Sequence, residues 1–247
     1  MVPAVDRAAR ILLLLSANPQ GMTLAEITAA TGWHKSSIHK ILVTLDHHGF
    51  LDRHEETKRY TLGIELLRCV KSVPNNLGIN NSANSFLKEL AEFSRETATL
   101  AVLRGTTMVI VDVVESPVEL RVTPPIGTMD PVTTKSNGKA VLAYLPENRT
   151  SEIIRIEGLP AKTRNSITQA KKYREELASV REHGYAIDIE EFQEGVCAVS
   201  APVFNTEGQA MAALSILGPA FRMNKEKLQL YGRKCADSAA RLSSLIR

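Results

Sequence analysis

Apolar positions in the first part of the chain recur at helical spacing and are interrupted by turn signals. The stripe of the first predicted helix consists of Val5, Ala8, Ile11, Leu12 and Leu15. It stops before Asn18-Pro19-Gln20-Gly21, which is typical of a turn. Thr23 and Glu26 have the spacing of a capping box, in which each side chain accepts the backbone amide of the other residue. A short second helix is therefore predicted, and Gly32 ends it because glycine accepts the left-handed conformation.

A third helix and a hairpin follow. The buried stripe of this helix is predicted at Ile38, Ile41, Leu42 and Leu45, which are spaced i, i+3, i+4 and i+7. Its opposite face carries Lys35, Ser36, His39 and Lys40. Beyond it, residues 50–54 alternate like a strand, the charged residues 55–59 form a turn, and residues 60–62 alternate again. The pattern predicts a small hairpin.

The chain changes character at residues 64 to about 82, where a helical segment is followed by turn-rich sequence. We place the domain junction here. The expected organisation is a first domain over residues 1–64, a linker over residues 65–80 and a second domain over residues 81–247.

The second domain reads as helices that flank a mainly antiparallel sheet, which is an α+β architecture. Helices are predicted around residues 86–91, 136–145 and 168–182, and from about residue 225. Strands are predicted at residues 99–103, 108–114, 185–189, 196–204 and 209–217, and the proline-rich residues 123–131 are expected to form a loop.

Composition and charge narrow the choice of function only slightly. The chain has 247 residues, 44% of them hydrophobic, and a formal net charge of +3, which does not by itself indicate a polyanionic partner. Cys69, Cys197 and Cys235 are odd in number and far apart, so we expect no disulfide framework, no metal site and a reducing cytoplasm. The longest apolar run, Ile11 to Leu15, is too short for a membrane span or a signal peptide. No cofactor is expected.

Three helices followed by a hairpin, in about 65 residues, match a winged helix-turn-helix in order and spacing. Such a module binds DNA through the polar start of its third helix and through its hairpin. The candidate DNA contacts are Lys35, Ser36, Ser37, His39, Lys40, Arg53, Lys58 and Arg59. We expect Lys58 and Arg59 to face DNA, with Glu55 and Glu56 turned away.

Two other interpretations stay open for this module. The polar face of the third helix can be an ordinary solvated surface, and a winged helix can also serve as a protein-interaction module. Trp33, the one tryptophan of the chain, is expected to be a packing residue at the turn between the second and third helices.

A further alternative is a small-molecule enzyme with an appended helical domain. The sequence carries no HExxH, P-loop or GxSxG motif and no cluster of metal ligands. A nucleophile pair of Cys197 and His183 is compatible with the sequence, but Cys197 lies in an apolar run, where a buried thiol is the commoner arrangement. We therefore expect no catalytic residues.

We expect the second domain to contain a binding pocket. Thr134 to Lys139 precede an apolar helix, where backbone amides could bind a carboxylate, although capping of that helix by Thr134 or Ser136 would explain the same residues. Asp188 would ordinarily be a surface carboxylate. Ser215 lies within a strongly apolar strand, so its hydroxyl requires a partner.

The sequence resembles the IclR family of bacterial transcriptional regulators over nearly its whole length. Residues 32–42, GWHKSSIHKIL, are similar to the recognition-helix pattern of that family, with Trp33 and His34 where leucine and proline are usual. Lys58 stands where the hairpin of the family often has glycine. Residues 184–188, 201–204 and 213–219 resemble the effector domain of the family.

The resemblance implies a winged helix-turn-helix joined by a linker helix to a GAF-like α/β domain that binds a small organic acid. It places the effector contacts at Ser136, Asn137, Asp188, Ala198, Ser215 and Leu217. Ala198 stands where the family often has cysteine. Because Cys197 is one position earlier in the strand, its side chain should point to the other face of the sheet. Leu217 stands where some members have a second serine. A less polar pocket favours a larger or partly apolar acid, such as an aromatic or sugar-derived one.

The resemblance also implies partners. Family members pair as homodimers or homotetramers, and a palindromic operator in double-stranded DNA follows from two-fold symmetry. The linker would transmit ligand binding by shifting the placement of two DNA-binding domains, provided that the effector favours one arrangement.

Overall fold

The computed structural model describes residues 1–69 and 82–246. The chain divides into two compact units, residues 1–76 and residues 77–247. Within the linker expected at residues 65–80, residues 65–69 are helical and residues 70–80 lie outside the described part of the chain.

Residues 1–62 of the N-terminal unit form three helices and a three-stranded antiparallel sheet. Its elements are α1 (Pro3–Ser16), β1 (Met22–Thr23), α2 (Leu24–Thr31), α3 (Lys35–His47), β2 (Leu51–Arg53) and β3 (Arg59–Leu62). The strand order is β1-β3-β2. The order of the predicted helices and hairpin is confirmed, whereas the two-residue strand β1 is too short to leave a pattern in the sequence.

Local signals fix the turn between α2 and α3. The Thr23 hydroxyl accepts the Glu26 amide at 3.3 Å, and the Glu26 carboxylate accepts the Thr23 amide at 2.7 Å, so the predicted capping box is confirmed. Gly32 ends α2 with a φ of 70°. Ile38 and Leu42 then direct one stripe of α3 into the core of this unit, which also contains Ile11, Leu15, Ile27, Leu51 and Tyr60.

The C-terminal unit is a six-stranded antiparallel sheet with helices on both faces. Its helices are α4 (Ser82–Ser94), α5 (Ser136–Leu142), α6 (Glu147–Glu157), α7 (Ala170–His183) and α8 (Lys225–Leu245). Its strands are β4 (Thr97–Arg104), β5 (Thr107–Val114), β6 (Met129–Pro131), β7 (Ala186–Ile189), β8 (Val196–Phe204) and β9 (Ala210–Pro219), in the order β6-β5-β4-β9-β8-β7. The predicted α+β class is confirmed.

Side chains alternate between the two faces of the large sheet, and each face packs against its own apolar core. Leu214 and Ile216 of β9 face α4 and α8, while Ala213 belongs to the core beneath α5, α6 and α7. Cys197 lies in the first core, as expected from its position one residue before Ala198. Ser215 and Leu217, on the same side of β9 as Ala213, are thereby placed on the α5 side of the sheet.

Two elements differ from the sequence-based expectation. The strand β6 lies inside the segment expected to be a loop, because its backbone pairs with β5 although Pro131 and Asp130 are poor strand formers. The helix α6 was not predicted, because it buries only Thr150 and Ile153 and its apolar stripe is correspondingly short. In the described part of the chain, no helix is long and apolar enough to cross a membrane.

Candidate functional site

The third helix exposes a continuous basic face. Lys35, Ser36, His39 and Lys40 are exposed and Ser37 is half-buried, because Ile38 and Leu42 hold the opposite stripe in the core. The first turn contains no acidic residue, and neither Lys35 nor Lys40 forms an ion pair with any residue that the structure describes. Val43, with 49% of its surface exposed, extends this face and was not predicted.

Trp33 is a packing residue, as expected. Its side chain is partly buried against the core of the N-terminal unit, and the Arg7 guanidinium lies 5.5 Å from the centre of its ring. His34 begins α3 as the N-cap residue and makes no side-chain capping hydrogen bond.

The hairpin tip has a backbone shape that suits glycine. Lys58 has a φ of 54°, which agrees with the position where the similar family often has glycine. Its ammonium lies 3.1 Å from the Glu55 carboxylate, and both side chains are exposed. This pair places Glu55 beside a candidate DNA contact, and the expectation that Glu55 and Glu56 turn away from DNA stays a prediction. An exposed pair of this kind is weak, so Lys58 can still exchange partners.

Arg59 forms contacts within its own domain. Its guanidinium donates to both carboxylate oxygens of Glu26, at 2.8 and 3.0 Å, and to the Gly21 carbonyl at 3.1 Å. These contacts tie β3 to the start of α2, so the guanidinium is engaged within the domain although 35% of the side chain is exposed. Arg53, by contrast, is exposed, with its guanidinium 5.7 Å from the centre of the Tyr60 ring.

A cavity of about 210 Å³ lies on the α5 side of the large sheet. All six residues expected to bind an effector line it: Ser136, Asn137, Asp188, Ala198, Ser215 and Leu217. The other walls come from Thr99 and Ile110 on β4 and β5, and from two covering segments, residues 122–124 and 192–193. Residues from α5, five strands and two loop segments thus meet around one cavity.

Three buried serines form a hydrogen-bonded chain beside the cavity. The Ser136 and Ser200 hydroxyls are 2.8 Å apart, and Ser200 donates to Ser215 at 2.8 Å. This finding supplies the partner that the Ser215 hydroxyl was expected to need. Ser200 was not predicted, although it shows the same signal as Ser215, a serine within an apolar strand.

Asp188 is buried, which excludes the alternative of an ordinary surface carboxylate. Only 5% of its surface is exposed, and its carboxylate accepts the Glu191 amide at 2.8 Å. Burial raises the pKa of Asp188 and outweighs the backbone hydrogen bonds and the charges of Lys139 and Lys135, which lower it. The cavity therefore contains a carboxyl group whose charged form is disfavoured.

A buried lysine supports the strand that carries Asp188. The Lys139 ammonium, 1% exposed, donates to Glu176 and Glu191 at 3.1 and 2.7 Å and to the Ile187 carbonyl. Burial acts to lower the pKa of Lys139, but the two carboxylates outweigh it and the pKa is raised. The ion cluster connects α5, α7 and β7.

Lys135 and Thr123 complete the polar lining. Lys135 begins α5 as its N-cap residue without a capping side chain, so capping by Thr134 or Ser136 is not observed. Its ammonium lies 2.6 Å from the Asp130 carboxylate and 3.9 Å from the centre of the Phe192 ring. The buried Thr123 hydroxyl has no hydrogen-bond partner among the described residues. Thr123 was not predicted, because loop sequence does not show which side chains point inward.

The thiol considered as a nucleophile is unsuited to that role. Cys197 is 2% exposed and packs in the core on the opposite face of the sheet. Burial raises its pKa to about 11, so little thiolate forms at neutral pH. Within the described residues, no group of three or more histidine, cysteine, aspartate or glutamate side chains could hold a metal ion.

Comparison with known families decides the identity of this arrangement. Residues 4–55 match the model of the IclR helix-turn-helix domain, and residues 71–244 match that of the C-terminal domain of the bacterial transcriptional regulator IclR. The chain belongs to the IclR family. It is a DNA-binding transcriptional regulator and not an enzyme, so the alternatives of an enzyme and of a protein-interaction module are set aside.

Individual relatives agree over nearly the whole chain. The transcriptional regulator Rv1719 of Mycobacterium tuberculosis is 34% identical over 94% of this chain and 88% of its own length. The regulator XynR of Escherichia coli is 30% identical, over 98% and 96%. The crystal structure of an IclR transcriptional regulator from Alicyclobacillus acidocaldarius superposes with a TM-score of 0.91 at 31% identity, and it covers 100% of both chains.

Proposed function

We propose that a small organic acid binds in the cavity of the C-terminal unit and thereby changes the affinity of this IclR-family chain for its operator. The observation that carries this proposal is the convergence of Ser136, Asn137, Asp188 and Ser215 on one enclosed volume. A concave, largely apolar pocket with a few polar side chains is the usual form of a small-molecule site.

The cavity also suggests the kind of acid. Ile110, Val122, Val196, Ala198 and Leu217 supply apolar wall. Hydroxyl and amide groups of Ser136, Asn137 and Ser215 can hydrogen-bond a carboxylate. The volume of about 210 Å³ lies below the roughly 300 to 1,000 Å³ of sites for drug-sized ligands. We therefore favour a small, partly apolar acid, such as an aromatic or sugar-derived one.

For DNA, the proposed contacts are the exposed face of α3 and the hairpin. Lys35, Ser36, Ser37, His39 and Lys40 would enter the major groove, because small and basic side chains at the start of a recognition helix reach base edges and phosphates. Arg53 and Lys58 would contact the backbone. We remove Arg59 from this set because Glu26 and Gly21 hold its guanidinium.

We further propose a homodimer, or a homotetramer built from it, on a palindromic operator in the cytoplasm. Half-sites would be about 34 to 36 Å apart, or a multiple of that distance. Val2, Val5 and Leu13 support pairing through α1, since they leave an apolar stripe that is 64%, 66% and 69% exposed. The linker at residues 65–80 would carry the effect of the ligand between the domains.

A two-step experiment tests this function. Thermal unfolding of the full chain is followed with a panel of sodium carboxylates that includes phenylacetate and gluconate, because a ligand that binds only the folded state raises its stability. An acid that raises the unfolding temperature is then added to the chain bound to its own upstream DNA. We expect the DNA affinity to change. If none of the acids stabilises the chain, or if a stabilising acid leaves DNA affinity unchanged, the proposal is wrong.

A further inference from the structure

The three serines beside the cavity differ in which groups their hydroxyls can donate a hydrogen bond to. Ser136, Ser200 and Ser215 are 2%, 0% and 4% exposed. Ser215 lies between Thr99 of β4 and Ser200 of β8 in the strand register. Ser136 and Ser215 line the cavity, whereas Ser200 lies behind them, outside its lining.

The hydrogen bonds among the three serine hydroxyls run in one direction. A serine hydroxyl has one proton to donate, and the Ser200 proton is directed to Ser215. The contact between Ser136 and Ser200 must then use the Ser136 proton, since the Ser200 proton is already committed. The Ser215 proton remains, and the part of the chain that the structure describes contains no acceptor bonded to it.

We propose that Ser200 is a positioning residue of the effector cavity, which orients the hydroxyl chain so that Ser215 donates to an acceptor oxygen of the ligand. The inference rests on the proposed function and extends it. A ligand with a carboxylate or carbonyl oxygen at this wall accepts the hydrogen bond from Ser215. A ligand with only a donor there leaves the Ser215 proton without an acceptor. Ser200 thereby contributes to specificity without touching the ligand.

Neutron diffraction from crystals of the full, deuterium-exchanged chain tests the direction without any ligand. We expect the Ser136 deuteron on the line to the Ser200 oxygen, the Ser200 deuteron on the line to the Ser215 oxygen, and the Ser215 deuteron directed into the cavity. A Ser200 deuteron directed at Ser136, or a Ser215 deuteron directed at Ser200, overturns the proposal. This outcome would leave the proposed function standing.

Calorimetric titration with sodium phenylacetate or sodium gluconate tests the consequence for binding. Ser200→Ala should weaken binding of the acid about three- to tenfold, as expected for one hydrogen bond, and should affect 2-phenylethylammonium less, because its ammonium group only donates hydrogen bonds. Ser238→Ala is the control, since Ser238 is also fully buried but belongs to α8 and lines no part of the cavity. Equal losses of affinity for the acid and for 2-phenylethylammonium, or unchanged binding of the acid, contradict the role of Ser200. If neither acid binds the unsubstituted chain, the proposed function loses support and the neutron result alone decides the direction.

Discussion

The Arg59 guanidinium lies 2.8 and 3.0 Å from the two carboxylate oxygens of Glu26, the residue that also closes the capping box of α2. Hydrogen bonds from the Thr23 amide and hydroxyl, together with the Arg59 charge, lower the pKa of Glu26. One carboxylate thus caps α2 and anchors β3 of the hairpin.

Arg59→Ala should therefore act on folding more than on DNA. We expect a lower urea midpoint for the N-terminal unit, because the capping carboxylate loses its cation and β3 loses its contact with α2. The salt dependence of DNA binding should stay as it is. Lys58→Ala is the matched control, since its exposed pair with Glu55 contributes little to stability. A reduced salt slope with unchanged stability would instead identify Arg59 as a phosphate contact.

Asp188→Asn should stabilise the chain at neutral pH. Burial raises the pKa of this carboxyl, so the folded state holds the proton more strongly than the unfolded state does. The ionised form therefore lowers stability above the folded-state pKa, and this penalty vanishes as the pH falls below the ordinary value of 3.8.

Urea unfolding between neutral and acidic pH measures this effect. An asparagine oxygen still accepts the Glu191 amide, and the advantage of Asp188→Asn should shrink as the pH falls because the Asp188 carboxyl becomes protonated. Asp52→Asn, at an exposed position of β2, serves as the control. A variant that is less stable than the unsubstituted chain at pH 7 would show that the ionised carboxylate stabilises the fold.

Lys139→Met should be strongly destabilising. The substitution leaves Glu191 and Glu176, whose side chains are 17% and 30% exposed, without their cation. Removing one partner of a buried ion pair costs about 3 kcal/mol or more. Since the pKa of Lys139 is raised, its contribution to stability is complete below the ordinary value of 10.5 and is lost only as the pH rises further.

Arg149→Met is the control, because it breaks an exposed pair with Glu152 that is worth less than about 1 kcal/mol. Equal losses of stability in Lys139→Met and Arg149→Met would contradict the larger contribution of the buried ion pairs.

Two buried tyrosines should respond differently to removal of their hydroxyls. The Tyr231 hydroxyl donates to the Ser94 carbonyl at 3.2 Å, so Tyr231→Phe should cost about 1 kcal/mol. The Tyr173 hydroxyl has no partner among the described residues, so Tyr173→Phe should leave stability unchanged or raise it. Chemical denaturation of both variants measures the difference. A larger loss of stability from Tyr173→Phe than from Tyr231→Phe would contradict this prediction, because it would show that the Tyr173 hydroxyl has a hydrogen-bond partner.

The sequence was most informative where structure depends on neighbours in the chain. The capping box of Thr23 and Glu26, the turn at Gly32 and the apolar stripe of α3 are local, and each was confirmed. Contacts between distant residues were harder to predict. Ser136 and Ser200 are 64 positions apart, and the pairing of Arg59 with Glu26 depends on how β3 packs against α2. The helix α6 was missed because a single buried isoleucine gives too weak a stripe.

Binding of the full chain to its own upstream DNA, measured by fluorescence anisotropy across a range of salt concentrations, tests the proposed DNA face most directly. If Lys35 and Lys40 each contact a phosphate, replacing both by alanine should weaken binding and reduce the salt slope by about 2, since each contact contributes roughly 0.9. Lys171→Ala, at an exposed position of α7 in the other unit, should leave the slope unchanged. An unchanged slope and affinity in the double variant would show that this face of α3 does not bind DNA.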